Sequence, residues 1–333
     1  MSRHPRLRPC RSGRRTARSC WMIRGCWDAL GIGSPVNPLS QVRSPRRPIA
    51  LVASGGGDGR EVDMSDRKSL FPGVPVRRCA FVGMVHLRPL PGSPGWGGDM
   101  HAVRRAARLD AERLVEGGCD AVIVENMGDV PYLRGAVAPE TVAAASMCVS
   151  DVVSLGIPVG VQLLAAANLE ALGVAVAAGA QFIRAEAFAY AHVADEGWLD
   201  ACAGPLLRRR TALRATVAVW ADVQKKHAAH AVTADVPLAD LARGTVFCGA
   251  DALVVTGTET GRPTDRVHVE AVRSAGRPVA VGSGVNPGNA AALAATADAL
   301  IVGSFLKAEG DWRRAVDVDR VRAMRAAIDH GTG

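Results

Sequence analysis

The fold class this sequence predicts is α/β: a single (β/α)8 TIM barrel preceded by a disordered, Arg-rich N-terminal extension. Three observations predict it. From Cys79 onward, eight short apolar runs alternate with segments of helical period. The runs are nearly continuous rather than alternating, as in parallel strands covered on both faces. Their starts lie about 20 to 40 residues apart, room for a crossover helix each time, and together they fill about the 250 residues usual for a closed barrel. Third, three helix-to-strand joints echo one another: Gly118-Cys119-Asp120-Ala121-Val122, Gly249-Ala250-Asp251-Ala252-Leu253 and Thr296-Ala297-Asp298-Ala299-Leu300. Such an echo is expected of a repeated strand–helix unit. An open doubly wound sheet is the competitor. Eight regular units, without a gap suggesting a second domain, favour closure.

The elements follow in chain order. Residues 1–63 are rich in Arg, Pro, Ser and Gly and hold no sustained period, so they predict no core element. Arg14-Arg15 resembles a twin-arginine signal, but Arg18 and Arg24 interrupt the apolar region that should follow. Met64 stands immediately before the ordered pattern, so the tail reads first as an over-extended start and second as an organelle transit peptide. The barrel domain is expected over 70–333. Its strand runs are Ala80–Leu87, Ala121–Glu125, Pro158–Leu164, Phe182–Ala187, Ala215–Asp222, Ala252–Thr256, Pro278–Gly282 and Ala299–Gly303. Between them, Asp99 is placed to cap a helix toward Glu116, and Pro139 to open the next in its first turn. Asn168 is expected to cap Leu169–Ala178 before Gly179, and Asp265 to cap Arg266–Ala275 before Gly276. Arg208-Arg209-Arg210 reads as the solvated end of a helix, favoured by its dipole.

Composition excludes several classes. The net charge of +8 is lopsided: residues 1–60 carry 12 Arg, no Lys and two acids, a net of +10, which leaves −2 for the rest. A nucleic-acid partner needs a basic face on a folded body, and the body's net charge gives that reading no support. No apolar run reaches the roughly 18 residues of a membrane helix, so no transmembrane segment is expected. Eight cysteines without any C-x-x-C predict free, buried thiols in a reducing compartment. The expected location is cytoplasmic, or an organelle matrix if the tail is a transit peptide.

Chemistry in this fold sits at the C-terminal ends of the strands. The runs end on His86, Glu125-Asn126, Gln162, Arg184 with Glu186, Asp222 with Lys225-Lys226-His227, Thr256-Gly257, Gly282-Ser283-Gly284 and Gly303-Ser304. One polar residue there is an ordinary loop start; a ring of them is a site. Glu125 and Asp222 are candidate proton-transfer groups, against the alternative of ion pairs to Arg184 or a lysine. Lys226 is a candidate amine or cationic clamp, and only one of Lys225 and Lys226 faces the axis if the strand continues. His86 and His227 are candidate acid/base groups. Gln162, Arg184, Glu186, Asn126, Thr256 and Gly257 are candidate substrate contacts. Gly282, Ser283, Gly284, Gly303 and Ser304 occupy the place after strands seven and eight where barrels bind phosphate. Tight turns are the alternative there. The spacing Gly282-x-Gly284-x-x-x-Gly288 fails as a dinucleotide fingerprint, and the Gly-rich run from Thr256 lacks a P-loop lysine. That run reads as a loop over the site or a Gly-rich turn. No cofactor is firmly implied; His227-Ala228-Ala229-His230 and the mixed His, Asp and Glu permit a divalent metal without specifying one.

The longest of these motifs carry a resemblance. Val82-Gly83-Met84-Val85-His86-Leu87-Arg88-Pro89, Val124-Glu125-Asn126-Met127-Gly128-Asp129-Val130-Pro131, Phe182-Ile183-Arg184, Ala221-Asp222-Val223-Gln224-Lys225-Lys226-His227, Val255-Thr256-Gly257 and Val281-Gly282-Ser283-Gly284-Val285 resemble the BtpA/SgcQ family, in order, over about residues 79–330. The resemblance implies a TIM barrel of the ribulose-phosphate-binding type. It implies no single reaction: one cyanobacterial member is linked to photosystem I assembly, and another branch belongs with sugar-uptake genes. The chain departs from the family pattern at Gln162–Asn168, where members commonly carry Asn and then Arg-Asn-Asp, and at Arg184-Ala185-Glu186, where they commonly carry Arg-Val-Asn. A distinct subfamily is expected. Two functions follow as expectations: an isomerase, epimerase or aldol-type lyase acting on a phosphorylated small molecule, or a non-catalytic factor in membrane-complex biogenesis. A homo-oligomer is compatible with either.

Overall fold

The computed structural model describes residues 70–71, 79–257 and 265–332. The expectations for the tail, for a start at Met64 and for the Gly-rich run beyond Gly257 lie outside the described residues. Eight parallel strands close a barrel: β1 (Ala80–His86), β2 (Ala121–Glu125), β3 (Val159–Gln162), β4 (Phe182–Ala185), β5 (Ala218–Gln224), β6 (Ala252–Val255), β7 (Val279–Val281) and β8 (Ala299–Val302). β1 closes the barrel by pairing with both β2 and β8. The outer ring is α1 (Met100–Glu116), α2 (Pro139–Val153), α3 (Asn168–Ala178), α4 (Ala203–Ala212), α5 (Leu238–Phe247), α6 (Arg266–Arg273), α7 (Pro287–Ala294) and α8 (Val318–His330).

Local chemistry sets most of the boundaries. The Asp99 carboxylate accepts from Ala102 N at 2.9 Å and starts α1; Asp265 does the same for α6 through Val267 N. Pro139 opens α2, and Gly179 closes α3 in the left-handed region at φ 81°. β3 and β4 each stop two residues short of the expected end, at Gln162 and Ala185, and three further expectations shift. Asn168 is the first residue of α3 rather than its cap, because its amide turns inward to the Glu186 carbonyl at 2.6 Å. β5 begins at Ala218, since Ala215 N still bonds to Arg210 O at the end of α4. α6 ends at Arg273, and Gly276 makes the later turn at φ 73°. The cysteines also divide: Cys79, Cys119 and Cys148 are buried, Cys202 is half-buried and Cys248 is exposed, all five free.

The echoed joints have a structural reason at the N-terminal rim. Asp120, Asp251 and Asp298 stand one residue before β2, β6 and β8. Each carboxylate accepts a backbone N–H of the preceding strand at 2.8 Å: Phe81 N, Val219 N and Val279 N. Each Asp backbone N–H donates to the carbonyl of that same residue, at 2.8, 2.9 and 2.8 Å. Gln181 plays this part before β4, accepting from Val159 N at 2.7 Å.

Side chains alternate across the sheet. Inside the barrel, Phe182 and Trp220 stack with centroids 4.2 Å apart, and Phe71 meets both edge-on or tilted. Gly160 faces this layer; a Cβ there would lie 2.3 Å from the Phe182 ring. Above come Val82, Met84, Ile123, Val254 and Ile301. Outside, Val85, Val122, Val124, Ile183, Leu253 and Leu300 pack under the helices. Burial of these two apolar layers is the main favourable contribution to folding. Among the described residues no helix is long and apolar enough to cross a membrane.

One element has no counterpart in the sequence reading. His192–Ala194, Gly197–Leu199 and Ala228–Ala229 form a small antiparallel sheet between the ends of β4 and β5.

Candidate functional site

The alternation that fills the barrel ends in polar residues at the C-terminal mouth. Register pairs His86 with Glu125 and Glu125 with Gln162, so three inward side chains from β1, β2 and β3 stand side by side. His86 Nε2 is 3.5 Å from Glu125 Oε2. His86 Nδ1 lies 3.4 Å from the Trp312 carbonyl, which assigns the proton to Nδ1 and leaves Nε2 an acceptor toward Glu125. Burial, reinforced by Lys307 and Lys226 and opposed by the Trp312 carbonyl, lowers the imidazole pKa to about 3. The ring is therefore neutral. Burial raises Glu125 to about 7; Arg184 opposes this and Glu186 adds to it.

Arg184 and Asp222 form a two-point ion pair, with Nε and Nη2 donating to the two carboxylate oxygens at 3.1 and 3.2 Å. Both side chains are buried. Burial works against the guanidinium charge, and Asp222 more than offsets it. Arg184 reaches across the mouth as well: a Cβ on Gly282 would lie 3.1 Å from Nη2. Gly303 makes equivalent room beside His86, whose Nε2 is 3.2 Å from where a Cβ would stand. Both glycines thus fall at inward positions at the ends of β7 and β8, where any side chain would crowd a polar group.

The condition set for the lysines, a strand that runs on through Lys226, is not met. β5 bulges between Asp222 and Gln224 and then ends, so strand alternation no longer governs the next two residues. Lys225 reaches two carboxylates. Lys225 Nζ lies 3.4 Å from Glu186 Oε2 and 3.3 Å from Glu196 Oε2. Burial lowers its pKa less than Glu186 and Glu196 raise it, so it stays charged. Lys226 lies within electrostatic reach of Arg184, Glu125, Asp222 and Glu186; burial, then Arg184, lower its pKa. Burial raises Glu186, and Lys225 opposes the rise.

Other candidates are placed as follows. Asn126 donates to Asp129 Oδ2 at 2.9 Å and accepts from Leu164 N at 2.7 Å, so its amide ties the loop after β2 to the loop after β3. Thr256 Oγ1 donates to the Gln224 carbonyl at 2.8 Å. Ser283 Oγ accepts from Gly257 N at 3.0 Å, joining the turns after β6 and β7. Gly284 adopts φ 71°, and its carbonyl accepts from Asn289 Nδ2 at 2.9 Å. Ser304 is exposed at the start of a single 3-10 turn. His227 is exposed, with φ 56°, outside the buried row. His230 turns to the Lys225 carbonyl at 2.8 Å. Among the described residues no group of three or more His, Cys, Asp or Glu is arranged to hold a metal ion.

The sequence profile of the BtpA family matches residues 77–330. The chain belongs to the BtpA family. Among its relatives in that family is an uncharacterised mitochondrial protein of Caenorhabditis elegans, 41% identical over 247 residues, 72% of this chain and 89% of that one. Another is the photosystem I biogenesis protein BtpA of Synechocystis, 37% identical over 254 residues, 75% of this chain and 88% of that one. Solved structures similar to the chain include phosphoribosyl anthranilate isomerase from Thermus thermophilus, at 16% identity and TM-score 0.46, covering 75% of this chain and 98% of that one. KGPDC from Streptococcus mutans is similar at 11% identity and TM-score 0.49, covering 77% and 99%.

In this BtpA-family mouth, three residues escaped the sequence reading. Glu196 comes from the turn of the small sheet. Tyr132 donates to the Met127 carbonyl at 2.9 Å and sits close enough to Glu125 and Glu186 for them to add to the rise that burial gives its pKa. Lys307, fully buried, pairs with Asp110 at 2.7 Å behind His86. The Arg184-Ala185-Glu186 departure from the family pattern already marked the wall that Glu196 and Tyr132 complete.

Proposed function

We propose that this BtpA-family chain is an enzyme that moves protons on a phosphorylated small molecule, with isomerase, epimerase or aldol-type lyase chemistry. The observation that carries the reading is Glu125: a buried carboxyl held at about 7, beside a neutral His86 and within reach of the Lys226 charge. A group with that pKa gives and takes protons at neutral pH. Gly282, Ser283, Gly284, Gly303 and Ser304 form the anion cradle, with Arg184 as its cation. The first turn of α7 is closed by its own Asn286 and Asn289, so the glycine turns rather than that helix receive the phosphate. Glu125 then removes a proton beside a carbonyl. Lys226 faces the oxygen that gains negative charge. Protonated Glu125 donates toward His86 Nε2, which stabilises the acid form between the two half-reactions. Asp222 acts by positioning Arg184.

Solvent deuterium exchange followed by proton NMR tests this. Wild-type protein in heavy water is expected to exchange a carbon-bound hydrogen of a phosphorylated aldose or ketose, and Glu125→Gln to slow that exchange by about 100-fold or more. Absence of exchange across such compounds would contradict it.

The name of the Synechocystis relative supports a second reading, an assembly factor built on the same barrel. It predicts that Glu125→Gln and Lys226→Met leave cellular function intact.

A further inference from the structure

The mouth has a second chemical pole. Gln162 and Glu186 are 2% and 6% exposed. Gln162 Nε2 donates to Glu186 Oε1 at 3.5 Å, which fixes the amide with its oxygen as the remaining acceptor. That oxygen accepts no hydrogen bond within the protein, and Glu186 Oε2 meets a single donor, the Lys225 ammonium at 3.4 Å, which leaves it room for a second. Ala165 and Ala167, the next buried side chains along the chain after β3 with Leu163 and Leu164, bring no donor. Native proteins keep few buried acceptors unpaired, because leaving one unpaired costs free energy. Donors from a ligand would complete these acceptors.

Charge decides their kind. Glu186, Glu196 and Asp222 are matched by Lys225, Lys226 and Arg184, while Glu125 titrates near neutrality. An ammonium group at this wall would add unbalanced positive charge beside Lys225. Neutral O–H donors add none.

We infer that Gln162 and Glu186 form a hydroxyl-binding subsite. The ligand is then a polyhydroxylated phosphate ester lying across the mouth, its phosphate near Gly282 and Arg184 and its hydroxyls at the ends of β3 and β4. The inference rests on the anion site proposed above.

Isothermal titration calorimetry on the full chain tests it with four probes: ribose 5-phosphate, 2-deoxyribose 5-phosphate, inorganic phosphate and ribose. For wild type, ribose 5-phosphate is expected to bind about tenfold tighter than inorganic phosphate, with the deoxy compound between them. Gln162→Met and Glu186→Gln should each erase most of that advantage and leave the affinity for inorganic phosphate unchanged, which also shows that the variants are folded. Equal affinities for ribose 5-phosphate and phosphate in wild type, or an advantage that survives both substitutions, would overturn the subsite and leave the anion site standing. Ribose binding that needs Gln162 and Glu186 but gains nothing from a phosphate would keep the subsite and overturn the anion site. Binding of none of the four would overturn both.

Discussion

Glu125 links the site to stability. Its folded pKa of about 7 lies above the ordinary carboxylate value of 4.5, so the native state holds this proton more tightly than the unfolded chain. Wild-type stability therefore loses a contribution as pH rises from about 4.5 through 7, about 3 kcal/mol in all. Glu125→Gln has no such slope. Urea unfolding at a series of pH values should show the variant gaining on wild type across that window, with no further gain below it. Gly282 and Gly303 make a separate expectation. A methyl at Gly282 would lie 2.7 Å from Val254 Cγ1 and 3.1 Å from Arg184 Nη2, so Gly282→Ala should cost about 1–3 kcal/mol and weaken anion binding. Gly303→Ala should disturb His86 more than the fold, read as a change in the His86 imidazole NMR signals. The strand-end residues were legible because side chains in a strand alternate and apolar runs show where they stop. The partners were not. Glu196, Tyr132 and Lys307 stand in the loops just beyond the strand ends, where no alternation shows which side chain turns to the mouth, and the bulge at Asp222–Gln224 removed the alternation on which the reading of Lys225 and Lys226 relied.

At the scale of elements, a buried ion pair ties the segment after β8 to α1. Lys307 Nζ meets Asp110 Oδ2 at 2.7 Å, and Asp110 Oδ1 accepts from Val316 N at 2.9 Å. Asp110→Ala strands a fully buried ammonium and a backbone N–H, a loss of about 3–5 kcal/mol measured by denaturant unfolding. Lys307→Met in the same background should recover part of it, because the stranded charge is then gone. Capping residues made α1, α2 and α6 readable, since Asp and Pro act on their own helix. Asn168 misled for the complementary reason: its amide found a tertiary partner in the Glu186 carbonyl. The small sheet beside the mouth stayed hidden because its strands are two or three residues long, too short for any period.

For the whole molecule, the repeated Ala-Asp-Ala and Cys-Asp-Ala joints were visible as words, and the structure gives them a common role as carboxylate laces between neighbouring strands. Closure followed from the count of runs and their spacing. The chemistry at the mouth follows from the same repeat: each strand delivers one inward residue, and the barrel brings eight of them within reach of a small ligand. What no local pattern could supply was the split of that ring into a glycine-lined side with Arg184 and an acceptor-lined side with Gln162 and Glu186, which depends on which strands become neighbours.

The most direct measurement is thermal unfolding of the full chain with and without inorganic phosphate, for wild type and Ser283→Asp. The aspartate keeps an acceptor for Gly257 N while placing negative charge at the cradle. At 100 times its dissociation constant, phosphate should stabilise wild type by about 2.7 kcal/mol and raise its Tm by several degrees. Ser283→Asp should show no rise. An unchanged wild-type Tm at high phosphate, or an equal rise in both proteins, would contradict an anion site at the ends of β7 and β8.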